Sequence, residues 1–213
     1  MPVPEITTAV FDLGGVLIDW DPRHLYRQLF RDPAQMEGFL ARVCTRDWHH
    51  AHDLGEDTRQ SCRRLARRHP EQREMIMAWA DRGEDMVRGQ FDQAVAVLAE
   101  LRAAGMRCLA LSNMEAETFP VRRARFGFMN LFDGFVISGV EGVAKPDPEI
   151  FAILLRRYRL TPGDTLFIDD APPNVAAARA LGLPALRYTC ADDLRRDLRS
   201  LGLPVSAPAG QPA

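Results

Sequence analysis

Four polar groups in this chain sit at the ends of apolar runs, where side chains of these types can do chemistry. Asp12 closes the first run in "AVFDLGGVLIDWDP" and is followed by Gly14 and Gly15. Ser112 and Asn113 close "MRCLALSN", Lys145 stands in "GVAKPDP", and Asp169 and Asp170 close "TLFIDD". Each has a plain structural reading when taken alone. A Ser-Asn pair after a strand often caps a helix, a lysine before proline is usually on the surface, and an aspartate before "APPN" can cap a helix that starts on proline. Together they concentrate three carboxylates and one lysine. One aspartate suffices for a cap, but two adjacent ones beside Asp12 call for a further cation.

These groups need a scaffold that brings their strand ends to one edge. Residues 6–13, 106–113, 134–138, 165–170 and 183–188 read as strands. Helical patterns at 91–105, 146–160 and 172–183 lie between them, the first ending at Gly105. Strand-helix alternation predicts an α/β fold, a Rossmann-like parallel sheet with helices on both faces. Residues 19–90 contain no convincing strand and read as helices separated by prolines and polar caps. The expected organisation is a core of residues 1–18 and 91–203, a small α-helical cap over 19–90 inserted after the first strand, and a flexible tail at 204–213. An insert at that point stands over the carboxyl ends of the strands, where open α/β sheets bind ligands.

Composition narrows the class. With 27 basic and 29 acidic residues the net charge is −2, which gives no field for nucleic acid or an anionic membrane. The arginines of "RQSCRRLARRHPEQR" accordingly read as a solvated helix face. The four cysteines, Cys44, Cys62, Cys108 and Cys190, have no CxxC spacing and are expected as reduced core thiols. No signal peptide or membrane-length apolar run is read, so a cytoplasmic protein is expected.

The motifs as a set resemble the haloacid dehalogenase (HAD) superfamily of hydrolases with a C1 helical cap. "FDLGGVLID" resembles its first motif, "LALSN" its second, "GVAKPDPEIF" its third and "LFIDDAPPNVAAARALG" its fourth. Within the superfamily the chain looks most like bacterial glucose-1-phosphatase-like (sugar-1-phosphate) phosphatases. The resemblance implies a Mg²⁺-dependent phosphomonoesterase acting on a small phosphorylated metabolite, with Asp12 as the nucleophile that becomes an aspartyl phosphate. It also implies metal ligation by Asp12, the Gly14 carbonyl, Asp169 and Asp170, with Asn174 orienting that shell. Ser112 and the backbone N–H of Asn113 would bind the phosphoryl group, and Lys145 would neutralise its charge and steady Asp12. The arrangement requires that no lysine or arginine already fill the gap between Asp12 and the late aspartates.

One position departs from the pattern. Phosphatases of the superfamily usually carry an acid two residues after the nucleophile, to protonate the leaving oxygen; here that residue is Gly14. A good leaving group, such as an anomeric oxygen, lessens the need for that proton. The stretch "RDWHHAHDLGE" offers His49, His50, His52 and Asp53 as substitutes, and His50 and His52 are expected at the substrate. Two other readings follow from Gly14. One is a metal-independent 2-haloacid dehalogenase, whose halide needs no proton. The other is a low-activity binding or regulatory protein on the same fold.

Overall fold

The computed structural model describes residues 5–207. Five parallel strands form the central sheet: β1 (Thr8–Phe11), β4 (Arg107–Ser112), β5 (Gly134–Ile137), β6 (Thr165–Asp169) and β7 (Ala185–Arg187). All five strands read from the sequence are present, in the order β5-β4-β1-β6-β7. Strand alternation explains the two-sided core. Ala9, Phe11, Cys108, Ala110, Leu166 and Ile168 face one buried cluster, and Val10, Leu109, Leu111 and Phe167 face another.

Two further strands, β2 (Ile18–Trp20) and β3 (Val87–Gln90), pair antiparallel. This corrects the expectation of no strand over 19–90. Both are short, and "VRGQ" lacks the apolar alternation that marks a strand, so mutual pairing supports them more than propensity. Between them lie five helices: α1 (Pro22–Tyr26), α2 (Pro33–Arg42), α3 (Arg46–Asp53), α4 (Thr58–Arg68) and α5 (Arg73–Asp81). They bury a cluster of their own around Tyr26, Phe39, Cys62, Leu65, Ile76 and Trp79. Aspartate or threonine caps begin four of them, at Asp21, Asp32, Thr45 and Asp57, each accepting from a backbone N–H of the first turn. The arginines of α4 lie on its exposed face, as a solvated face requires.

The remaining helices are α6 (Asp92–Ala103), α7 (Thr118–Arg125), α8 (Ser138–Glu141), α9 (Pro148–Tyr158), α10 (Pro172–Ala180) and α11 (Ala191–Ser200). Gly105, with φ +85°, ends the turn after α6 as read. The last helix, α11, buries Leu194 and Leu198 against the sheet and holds the chain beyond it. Arg195 pairs with Glu100 at 2.8 Å, Ser206 donates to Glu100, and Val205 is buried. In the segment expected to be a flexible tail, Val205 is buried and Ser206 is hydrogen-bonded, while 208–213 lie outside the described residues. Cys44, Cys62 and Cys108 are buried as expected; Cys190 is exposed because it caps α11, accepting from the Asp193 N–H at 3.5 Å. No helix among the described residues is long and apolar enough to cross a membrane.

Candidate active site

Sheet topology dictates where the site falls. The chain runs from β1 to β4 and β5 on one side, then crosses to β6 and β7 on the other. The carboxyl end of β1 is thus the switch point of the sheet, where ligands bind in open α/β folds. Register does the rest. Phe11 pairs with Ile168 across β1 and β6, so the next residues, Asp12 and Asp169, stand side by side. The Asp12 N–H continues the ladder to the Ile168 carbonyl at 2.9 Å.

Lys145 binds this edge together. Its ammonium donates to the Leu111 carbonyl at 2.8 Å and to Asp169 Oδ2 at 2.7 Å, and it lies 2.9 Å from Asp12 Oδ1. Those three acceptors engage all three ammonium protons, and the side chain is fully buried. Asn113 positions the lysine by a two-point clamp: its Nδ2 donates to the Lys145 carbonyl, and the Lys145 N–H donates to its Oδ1, both at 2.9 Å. One requirement is not met here. Lys145 stands in the gap between Asp12 and Asp169, the place required to be clear of a cation. All three of its protons face protein acceptors, so any help it gives a phosphoryl group comes through its charge.

The carboxylates divide accordingly. Asp12, Asp169 and Asp170 lie close enough together to share an ion. Asp169, however, is completely buried and saturated. Besides Lys145 it accepts from the Ala171 N–H at 2.8 Å and from Asn174 Nδ2 at 3.0 and 3.1 Å. Asn174 thus orients Asp169. Asp12 Oδ1 accepts from Leu13 N–H at 2.7 Å and faces Lys145, while Oδ2 has no partner among the described residues. Asp170 is exposed. The free oxygens of the cluster therefore belong to Asp12 and Asp170.

Glycine is needed where Asp170 comes closest. A Cβ on Gly15, whose φ is +75°, would stand 2.7 Å from Asp170 Oδ2. We expect Gly15→Ala to destabilise the protein by about 1–2 kcal/mol from left-handed backbone strain alone. The loss is readable in thermal melts. A Cβ on Gly14 meets open space. Nothing steric excludes an acid there.

Burial and like charge govern the protonation of the cluster. Burial pushes Asp12 up to about 7; Lys145 opposes the rise, and Asp169 and Asp170 add to it. Burial works against the Lys145 charge, but Asp12 and Asp169 hold its pKa above the ordinary lysine value. Although Asp170 reaches the surface, partial desolvation of its carboxylate and then Asp169 raise it, while Lys145 and Arg46 draw it down. Asp53 is pushed up to about 7 by burial, then by Glu115 and Asp12, with Lys145 opposing. Arg46 and Asp53 are the two ends of α3, so that helix lies within the electrostatic reach of the site. The turn after α3 approaches α8 closely, and a Cβ on Gly55 would lie 3.2 Å from the Gly139 carbonyl.

The other expected site residues are placed unevenly. Ser112 ends β4 at the sheet edge and is buried. His50 is exposed on α3. His52 has no exposed surface to offer a substrate; its ring lies edge-on to Trp48, 4.4 Å between centroids. Helical spacing explains the difference, since residues two apart in a helix point to different faces. Glu115 and Arg46 were not singled out by the sequence. Glu115 follows the "LSN" stretch by two residues, a proximity visible in the chain, whereas Arg46 is visible only once α3 is placed.

An α/β sheet with a strand-end aspartate, a lysine on it and a late acidic pair defines a class of hydrolase. The chain belongs to the haloacid dehalogenase-like hydrolases, which it matches over residues 6–182. It is similar to the sesquiterpene phosphatase AstK of Aspergillus oryzae, 27% identical over 91% of this chain and 95% of that protein. Among solved structures it resembles a HAD family enzyme of Bacteroides thetaiotaomicron, crystallised with magnesium and inorganic phosphate. There the TM-score is 0.64 and the identity 21%, over 86% of this chain and 94% of that one. The L-2-haloacid dehalogenase of Xanthobacter autotrophicus, with chloropropionic acid covalently bound, shares the fold at a TM-score of 0.62 and 20% identity. That match covers 93% of this chain and 84% of the other.

Proposed function

We propose that this protein is a Mg²⁺-dependent phosphomonoesterase for a small phosphorylated metabolite, with residues 19–90 as the cap over its site. One observation carries the reading: hydrogen bonding at the sheet edge leaves Asp12 Oδ2 unpartnered beside the exposed carboxylate of Asp170. The relative named as a phosphatase and the neighbour holding magnesium and inorganic phosphate support it.

The donor set fits magnesium, which prefers oxygen ligands and keeps several waters. Asp12 and Asp170 would hold it, with the Gly14 carbonyl; Asp169 serves Lys145 instead. A magnesium ion held there would supply positive charge against the excess carboxylates and a dianionic phosphoryl group. Asp12 Oδ2 attacks phosphorus, and the bond to the leaving oxygen breaks with its electron pair. Lys145 holds the other Asp12 oxygen, which fixes the orientation of the nucleophile. Water then attacks the aspartyl phosphate, releasing phosphate and restoring Asp12. Arg46, near Asp170, adds positive charge for a dianionic substrate.

Asp53 is the residue best suited to replace the acid missing at Gly14. It is buried, carries its proton up to about pH 7, and comes from the helix that faces Asp12. Its acid form gives a proton to the leaving oxygen, and its base form takes one from the attacking water. Because this pKa is raised, the competent acid is present below about pH 7 and is lost as pH rises through that value. We expect Asp53→Asn to slow alkyl phosphates roughly 10²-fold and aryl phosphates little. The descending alkaline limb of kcat should flatten, and adding Gly14→Asp should restore alkyl turnover. An unchanged limb removes Asp53 from the reaction.

The reading as a whole is tested by phosphate release over a metabolite panel, starting with sugar 1-phosphates, with and without Mg²⁺. Chloride release from 2-chloroacids is measured alongside. Magnesium-dependent phosphate release is expected; chloride release alone, or neither, overturns it.

A further inference from the structure

We propose that His49, His52 and Glu115 form a second cation site, specific for a zinc-class divalent ion, that fastens the helical insert to the sheet. His49 and His52 are three apart on α3 and share one face of it. Glu115 comes from the loop after β4, so the cluster joins two separate parts of the chain. One donor atom from each of the three lies within 4.8 Å of the others.

His52 is the independent sign of a ligand. Its ring is completely buried, yet neither Nδ1 nor Nε2 has a hydrogen-bond partner among the described residues. A buried imidazole normally satisfies at least one nitrogen. Its Nδ1 lies 3.7 Å from Glu115 Oε1. That is too long for a hydrogen bond, but close to the spacing of about 3.4 Å between two donors on a tetrahedral ion with bonds near 2.1 Å.

The surroundings hold the donors in place. Trp48 meets the His52 ring edge-on, His49 stacks on Trp20 at 5.0 Å, and Trp79 lies 5.1 Å from His49. Burial keeps both imidazoles neutral, lowering His49 to about 3 and His52 to about 4, so their lone pairs are available. The Thr58 hydroxyl supports Glu115 from the start of α4. Two imidazoles and one carboxylate are a zinc donor set, whereas the all-oxygen cluster at Asp12 and Asp170 is a magnesium set. The molecule thus carries two sites that sort ions by ligand chemistry. Asp53 Oδ1 lies 4.0 Å from His49 Nε2, so an ion here adds positive charge beside the proposed proton donor. Inhibition by zinc is then expected, a consequence that rests on the phosphatase reading; binding itself does not.

The test uses the full chain stripped with chelator and carrying Asp170→Asn to disable the acidic cluster, in excess Mg²⁺. Co²⁺ or Zn²⁺ is titrated in. One equivalent should bind, Co²⁺ should show the visible absorption of a low-coordinate ion, and it should quench the fluorescence of the three tryptophans, all of which border the histidines. His52→Asn and Glu115→Gln should each weaken binding by more than about 100-fold, beyond the loss typical of an outer-shell change. Glu115 is partly exposed, so its variant keeps the test sound if the His52 variant does not fold. No uptake, or uptake undiminished in the Glu115 variant, overturns the site. Failure of phosphatase activity would leave this result untouched.

Discussion

Asp12→Asn is expected to lower phosphate release by about 10⁴-fold or more, the scale of losing a covalent nucleophile, while the metal-free protein keeps its fold and gains stability. The two effects have one cause. Asp12 is buried among two other carboxylates with a single lysine to balance them, and burial and like charge together push it up to about 7. A carboxylate raised in this way favours folding while protonated. Its contribution is full below the ordinary value near 4 and is lost as pH rises through about 7. The asparagine variant escapes that loss, so its Tm advantage should be largest above pH 7 in the absence of divalent ions. Magnesium should reverse the ranking by stabilising the wild type alone. The same titration makes Mg²⁺ affinity fall about tenfold per unit of acidity below pH 7, as proton and ion compete for Asp12. Residual activity near wild type in the asparagine variant would rule out the covalent route.

The sheet was legible because each core strand is a short apolar run ending in a polar residue, and such runs in alternation with helices allow few topologies. Asp12 and Asp169 could be placed together from that topology alone. The use made of their oxygens could not. Lys145 takes acceptors from three elements, at Leu111, Asp12 and Asp169, and nothing local in "GVAKPDP" shows that its protons will all be engaged. The residue type of Asp169 was legible as acidic, but its bonds to Lys145, Asn174 and the Ala171 N–H were not. His52 shows the same limit from the other side. A polar residue in a short, polar helix reads as exposed, and only the packing of Trp48 and Trp79 buries it. The β2–β3 ribbon escaped for a different reason: it is held by pairing over three or four residues with no periodic signal.

Lys145→Met should be the most destabilising single change at the site, by about 3–5 kcal/mol. At roughly 2–4 °C per kcal/mol for a chain of this size, the melting temperature should drop by on the order of 10 °C. Methionine fills the space, so the loss is electrostatic. Asp12 and Asp169 would remain buried against each other with no cation between them, and the Leu111 carbonyl would lose its donor. Asp169 has Asn174 and the Ala171 N–H as further partners, whereas Asp12 keeps only the Leu13 N–H. The excess proton affinity should therefore fall on Asp12, and activity should collapse at neutral pH and recover partly at high pH. Adding Asp169→Asn to Lys145→Met removes one of the stranded charges and should restore much of the stability. A double-mutant cycle on thermal melts then gives a coupling of opposite sign to the first loss. If Lys145→Met melts with the wild type, the lysine is not what balances these carboxylates, and the division of labour between Asp169 and Asp170 must be wrong with it.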